Sequence, residues 1–201
     1  HRRAWSFGIF CSSSTDPFLP QEDQFGVTSS LLETMVELPP DRLILQTHSH
    51  RVARWESAIV RLREVCDLLV HISIETDRAR IPSMPPHASS IAKRFEAAHQ
   101  LKSAGIPTVI TVAPLLPIAD PEAFFARCSA VADAVVIDHF IGGDGTAEGS
   151  RTRRTMLPIL MAEVEPGSET LAYRDQIVAI ARKQMPGRVG VGSRGFAGDF
   201  E

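Results

Sequence analysis

Short apolar runs in this chain end in side chains that can bind a polar ligand or exchange protons with it. Leaving those runs are Ser12-Ser13-Ser14-Thr15-Asp16, Thr47-His48-Ser49-His50, Ser73-Ile74-Glu75-Thr76, Ala113-Pro114 and Asp138-His139. Carboxylates in such a set accept from an amine or a ribose, other polar groups donate to a carboxylate, and proline frees backbone groups. Together they describe a rim suited to a polar small molecule. Turns that follow strands favour the same residue types, so an ordinary set of polar turns is the competing reading.

Taken singly, the candidates say less. His48 and His50 could ligate a metal, but no obvious third ligand accompanies them, which favours hydrogen-bonded loop histidines. Asp138 and His139 could be a base and its orienter, although adjacent strand residues point to opposite faces. His71, inside an apolar run, reads as a core residue with its hydrogen bonds satisfied. Gly142-Gly143-Asp144-Gly145 lacks the Lys-Ser/Thr of a phosphate-binding loop. The stretch from Phe140 to Arg154 therefore reads as a mobile loop. Its Arg151, Arg153 and Arg154 read first as a solvated turn and second as a contact for phosphate or nucleic acid.

The elements that must hold the rim alternate in type. Strand-like runs cover Ser6 to Phe10, Leu43 to Thr47, Leu68 to Ile74, Thr108 to Ala113, Ala134 to Asp138 and Arg188 to Gly192. Their continuous apolarity predicts burial on both faces, as in a parallel sheet. Between them, Ser30 and Glu33 form a possible capping box ahead of a helix stopped by Pro39-Pro40. Ile91, Phe95, Ala98 and Leu101 make one apolar stripe closed by Gly105 and Pro107. Asp120-Pro121 starts another helix, with Phe124, Cys128 and Val131 on its buried face, and Arg174 to Met185 is the last. Strand and helix in alternation predict an α/β fold with a parallel sheet, open or closed into a partial barrel, with its chemistry at the carboxyl ends of the strands.

With 201 residues, 44% of them apolar, the chain is expected to form one domain over 1–201. Its net charge of −3 and pI near 6.2 give phosphate backbones no overall attraction, so a nucleic-acid partner would need a local patch. No run approaches the roughly 18 apolar residues of a membrane helix. Cys11, Cys66 and Cys128 are far apart, which suits reduced thiols in a cytoplasmic protein. The first residues run straight into an apolar segment with no cap or turn, which suggests a preceding segment.

Several stretches resemble radical S-adenosylmethionine proteins of the spore photoproduct lyase type. "SSSTDPFLPQE" resembles that family's "TDPY-x-P-x-E" segment and "LILQTHSHRVARW" its "TK-S-x-x-x-RD" segment. "VHISIETD" is similar to its "v-x-iSi-x-T" strand, and "AAHQLKSAGIPTVITVAPLLPIADPE" to its "L-x-x-AGI-x-v-x-v-x-aPiiPg" unit. The Asp138-His139 strand stands where the next strand is expected. The likeness spans about Ser6 to Phe140, with the pieces in the family's order.

The resemblance implies a partial (β/α)6 TIM-like barrel that holds S-adenosylmethionine against a 4Fe-4S cluster. It would place Ser14, Thr15 and Asp16 near the methionyl amine, Ser73 at the ribose or carboxylate, and backbone of Ala113 at the adenine. His48 takes the place of the family's lysine, and an imidazole is a weaker, pH-dependent partner for a carboxylate. The activity implied is reductive cleavage of the cofactor to a 5'-deoxyadenosyl radical that abstracts hydrogen from a substrate. DNA repair is the best-known use in the family, without support here from charge. The family's Cys-x3-Cys-x2-Cys loop has no counterpart in this sequence, so either that segment lies upstream or the barrel has lost its chemistry. A barrel without its first strand would leave the edge at Ser6 to Phe10 open to another segment or to a second copy in a homo-oligomer. Two alternatives stand beside the enzyme: a non-catalytic S-adenosylmethionine or nucleotide binder or scaffold on the same barrel, and an unrelated barrel hydrolase or aldolase using Asp16, His48 and Asp138 with a metal.

Overall fold

Six parallel strands lie side by side in chain order, β1 (Gly8–Cys11), β2 (Arg42–Thr47), β3 (Asp67–Ser73), β4 (Thr108–Val112), β5 (Ala134–Ile137) and β6 (Val189–Val191). The structure is a computed structural model and describes residues 6–11 and 15–201. The expected α/β architecture, a parallel sheet of the partial TIM-like barrel kind, is what it shows. Each strand pairs with the one before it, from Gly8 beside Arg42 to Ile137 beside Val191. Among the described residues β1 pairs with β2 alone, so its other side is an edge.

Most of the helices cover one face, and the last lies on the other. They are α1 (Glu22–Phe25), α2 (Val27–Glu37), α3 (Glu56–Val65), α4 (Ile91–Ser103), α5 (Pro121–Val131), α6 (Phe140–Gly143), α7 (Leu157–Val164), α8 (Leu171–Gln184) and α9 (Gly192–Phe196), with short 3-10 turns at His50–Trp55 and Thr152–Arg154. Alternate strand residues such as Leu43, Leu45, Val70, Ile72, Ile110 and Ile137 meet the helix residues Ile59, Phe95, Leu101 and Phe125 in the main core. The predicted stripe on α4 is buried throughout, and Gly105 ends that helix with φ 75°. Asp120 caps α5 by accepting from the Ala123 amide at 3.0 Å. No helix among the described residues is long and apolar enough to cross a membrane.

The other face carries Leu69, Val109, Ala134 and Val136, and the carboxyl-terminal segment closes over it. Phe196 and Phe200 pack against these residues, Arg42 donates to the Ala197 carbonyl at 3.2 Å, and Glu201 exchanges backbone hydrogen bonds with Val189. Gly190 and Gly195 let α9 approach this closely, since a Cβ on Gly195 would stand 2.6 Å from the Gly190 carbonyl carbon.

Three expectations need correcting. The capping box is not formed: α2 begins at Val27, and Glu22 of the preceding turn accepts from the Thr28 and Ser29 amides, while Glu33 pairs with Arg61. A carboxylate one turn upstream satisfies the helix start, so Ser30 falls inside the helix. The stretch from Phe140 to Arg154 is folded rather than a loose loop. Asp144 accepts from Thr146 and from the Thr152 amide, and Arg153 donates to the Glu148 carbonyl. His71 is buried as expected but not satisfied, for neither ring nitrogen has a partner among the described residues.

Candidate functional site

The loop after β1 turns back onto the end of β2, and Asp16 fixes that turn. Its carboxylate accepts from the Phe18 amide at 2.9 Å, the Thr47 hydroxyl at 2.8 Å and the His48 amide at 2.7 Å. Phe18, fully buried, sits 5.3 Å from Trp55 and anchors the loop beneath. Thr15 is exposed beside it, and Ser14 lies outside the described residues.

A chain of charges crosses the ends of β2 and β3. Arg94 projects from the buried face of α4, donates to the Ser73 carbonyl and pairs with Glu75 at 2.9 Å; it is 2% exposed. The second Glu75 oxygen accepts from His48 Nδ1 at 2.6 Å. Burial alone would raise the Glu75 carboxyl, but the His48 hydrogen bond and the Arg94 charge outweigh it and hold the group below the usual carboxylate range. The same hydrogen bond raises His48, whose side chain is 46% exposed. His48 therefore holds a proton more readily than a free imidazole. His50 is separate: its ring bonds Ser89, and burial lowers it.

Beside this chain, hydroxyls line the sheet. Ser73 bonds Thr111 at 2.9 Å and accepts from Gln46 at 3.3 Å. Past β4 and β5 a cavity of about 360 Å³ opens, lined by Ala113, Pro114, Asp138, Asp144, Thr152 and Leu157, with Phe196 of α9 in its wall. The Ala113-Pro114 peptide is cis. Asp138 is half-buried; no described side chain donates to its carboxylate, and the amide of His139 is its one backbone partner among the described residues. Burial raises its carboxyl, countered in part by Arg174 and the His139 amide. A ligand that donates a hydrogen bond would satisfy it. The carboxylate lies against Gly143, where a Cβ would overlap it.

His139 is not its partner. Its Nε2 lies 3.2 Å from the Ser168 carbonyl and its Nδ1 accepts from the Ile141 amide, so both nitrogens are used in shaping α6. The structure thus joins Asp16 to the His48 backbone and His48 to the Ser73 strand end, while Ala113 sits with Asp138 in the cavity. Composition and spacing did not single out Arg94, Gln46, Thr111 or Phe196. Arg94 left a signal, since it shares the helical stripe of Ile91, Ala98 and Leu101.

The described residues hold no group of three His, Cys, Asp or Glu side chains arranged to ligate a metal. Cys128 is buried, with its thiol pushed far up by desolvation, and Cys66 donates to the Leu62 carbonyl. Cys11, Cys66 and Cys128 are not brought together into a ligand set for an iron-sulfur cluster.

No known family profile matches the sequence, nor does any curated protein. Solved structures do. A cysteine-to-serine mutant of spore photoproduct lyase superposes with a TM-score of 0.59 at 15% identity, over 94% of this chain and 62% of that one. The chain shares its fold with spore photoproduct lyase. A double mutant of that enzyme, with bound AdoMet and dinucleoside spore photoproduct, gives the same TM-score at 16% identity over 92% of this chain and 60% of its own. The chain thus spans about three fifths of the solved structures it matches, and the likeness is one of fold.

Proposed function

We propose that this chain is a cofactor-holding barrel of the radical S-adenosylmethionine type, binding S-adenosylmethionine across the carboxyl ends of β2 to β5. The observation that carries the reading is Asp138, a half-buried carboxylate with no described side-chain donor, beside Ala113 in a cavity of about 360 Å³, on a sheet whose adjoining ends carry the Ser73 hydroxyl and His48. When bound, S-adenosylmethionine supplies an activated carbon–sulfur bond, and the residues here bind and orient it. Asp138 accepts from the ribose hydroxyls or the adenine amino group, next to the Ala113 backbone. Ser73 and His48 face the ribose and carboxylate, with Glu75 favouring the protonated imidazole. Asp16 serves by holding the loop that carries Thr15 toward the methionyl amine.

Reductive cleavage needs an iron-sulfur cluster, whose ligands Cys11, Cys66 and Cys128 do not fit, so no step is assigned to it. The second reading is a binder without radical chemistry on the same barrel. Calorimetry with S-adenosylmethionine tests the shared part of both. Binding should weaken about tenfold in Asp138→Asn and in Ser73→Ala, the loss of one good hydrogen bond each. No heat with the intact chain, or unchanged affinity in both variants, sinks the proposal. Anaerobic iron and sulfide reconstitution separates the two readings, since the second takes up no cluster even in the full-length protein.

A further inference from the structure

A second pocket lies beside the first, and the proposed cofactor contacts leave it open. It measures about 220 Å³ and is walled by Ile81, Met84, Pro85, Pro86 and Leu116, with Glu75 at one side. Pro114 and Leu157 line both pockets, so the two are lobes of one cleft across the strand ends. The walls come from the loops after β3 and β4 and from α7. There Ile81, Leu116, Phe140 and Met161 form an apolar cluster separate from the main core. The cluster itself is buried, but its partly buried neighbours Met84 and Leu157 turn apolar surface into the pocket, at the end of a parallel sheet where ligands bind.

Charge selects among apolar ligands. Glu75 is already paired with Arg94 and His48, so it offers an incoming molecule no free negative charge. Arg80, exposed at the rim, makes no hydrogen bond or ion pair among the described residues. His87 is tied by its Nε2 to the Arg78 carbonyl. The pocket therefore pairs apolar walls with one uncompensated cation. A cavity of about 150 Å³ takes benzene, so this one takes a bicyclic ring or a chain of similar bulk.

We propose that this lobe binds an apolar molecule bearing a single anionic group, with Arg80 as the anchor for the anion. That it is the lobe of the substrate, adjoining the cofactor, rests on the function proposed above; the binding itself does not.

The test uses 2-naphthoate and its uncharged counterpart 2-naphthalenemethanol as probes. Each is titrated into the intact chain carrying carbon-13 methionine methyls, of which the chain has 5, with Met84→Leu assigning the reporter. The acid should shift the Met84 methyl saturably and bind about fivefold tighter than the alcohol, the scale of one exposed ion pair. Arg80→Gln, a surface change that leaves the fold alone, should bring the acid to the level of the alcohol. No saturable shift at Met84, a shift elsewhere only, or equal affinity for the two probes overturns the proposal. Calorimetry with S-adenosylmethionine on the same sample keeps the two ideas apart. Acid binding at Met84 without cofactor binding would sink the cofactor reading and keep this one.

Discussion

His71 has a measurable thermodynamic signature. Burial, with Arg42 adding to it, pushes the imidazole down to about 4 from its ordinary 6.5. The ring lies 5.9 Å from Phe196 and 6.4 Å from Phe10 with no hydrogen-bond partner among the described residues. As pH falls from 6.5 to 4 the unfolded chain takes up a proton that the folded chain refuses, so stability declines over that window and then levels off. At pH 5 the loss is about 2 kcal/mol. His71→Phe should remove it. Urea unfolding at pH 8 and pH 5 should show the variant gaining about 2 kcal/mol on the native chain at the lower pH, and parallel pH profiles would contradict the placement. The His48–Glu75 pair acts in other windows. His48, raised by Glu75, contributes fully below 6.5 and loses that contribution as pH rises through its raised value. Glu75, held low, contributes above its ordinary 4.5 and loses it as pH falls through the depressed value.

At the scale of elements, helix starts show what sequence reading captures. Asp120 followed by Pro121 is a local signal, and the cap it announces is present. Asp120→Ala should cost about 1 kcal/mol, read as a lower urea midpoint at unchanged slope; an unchanged midpoint would mean that the cap contributes nothing. The start of α2 was not legible, because its capping carboxylate, Glu22, reaches across the bend at Gly26, where φ is 61°. All six strands were legible to within a residue or two at each end, since each is a continuous apolar run between polar turns. The rim of the site was legible in type but not in connection. Nothing in "HSH" or "SIET" says that His48 and Glu75 meet, or that Arg94 arrives from a helix far along the chain. Such contacts depend on strand register, which fixes which ends are neighbours. The Phe140 to Arg154 stretch misled because glycine and arginine content reports local freedom, whereas Asp144 organises that segment through three hydrogen bonds to Thr146 and Thr152.

For the whole molecule, the segment from Gly192 to Glu201 decides how much of the concave face is dry. Gly195→Ala should lift α9 from Gly190 and admit water to His71. Nuclear magnetic resonance should then show the His71 midpoint climbing from about 4 toward 6.5, and an unmoved midpoint would show that the segment does not seal the ring. The strand order adds a consequence for how the chain assembles. Each strand's partner is the one synthesised just before it, so the sheet can grow by accretion during translation with no strand waiting for a later one. The exception is the link from Ala197 back to Arg42, which spans 155 positions and is the most delayed contact of those described above. A nascent sheet would therefore carry its central imidazole wet and protonatable until residues 192–201 emerge, and of the described cavity lining the wall that Phe196 lends would form after the strands.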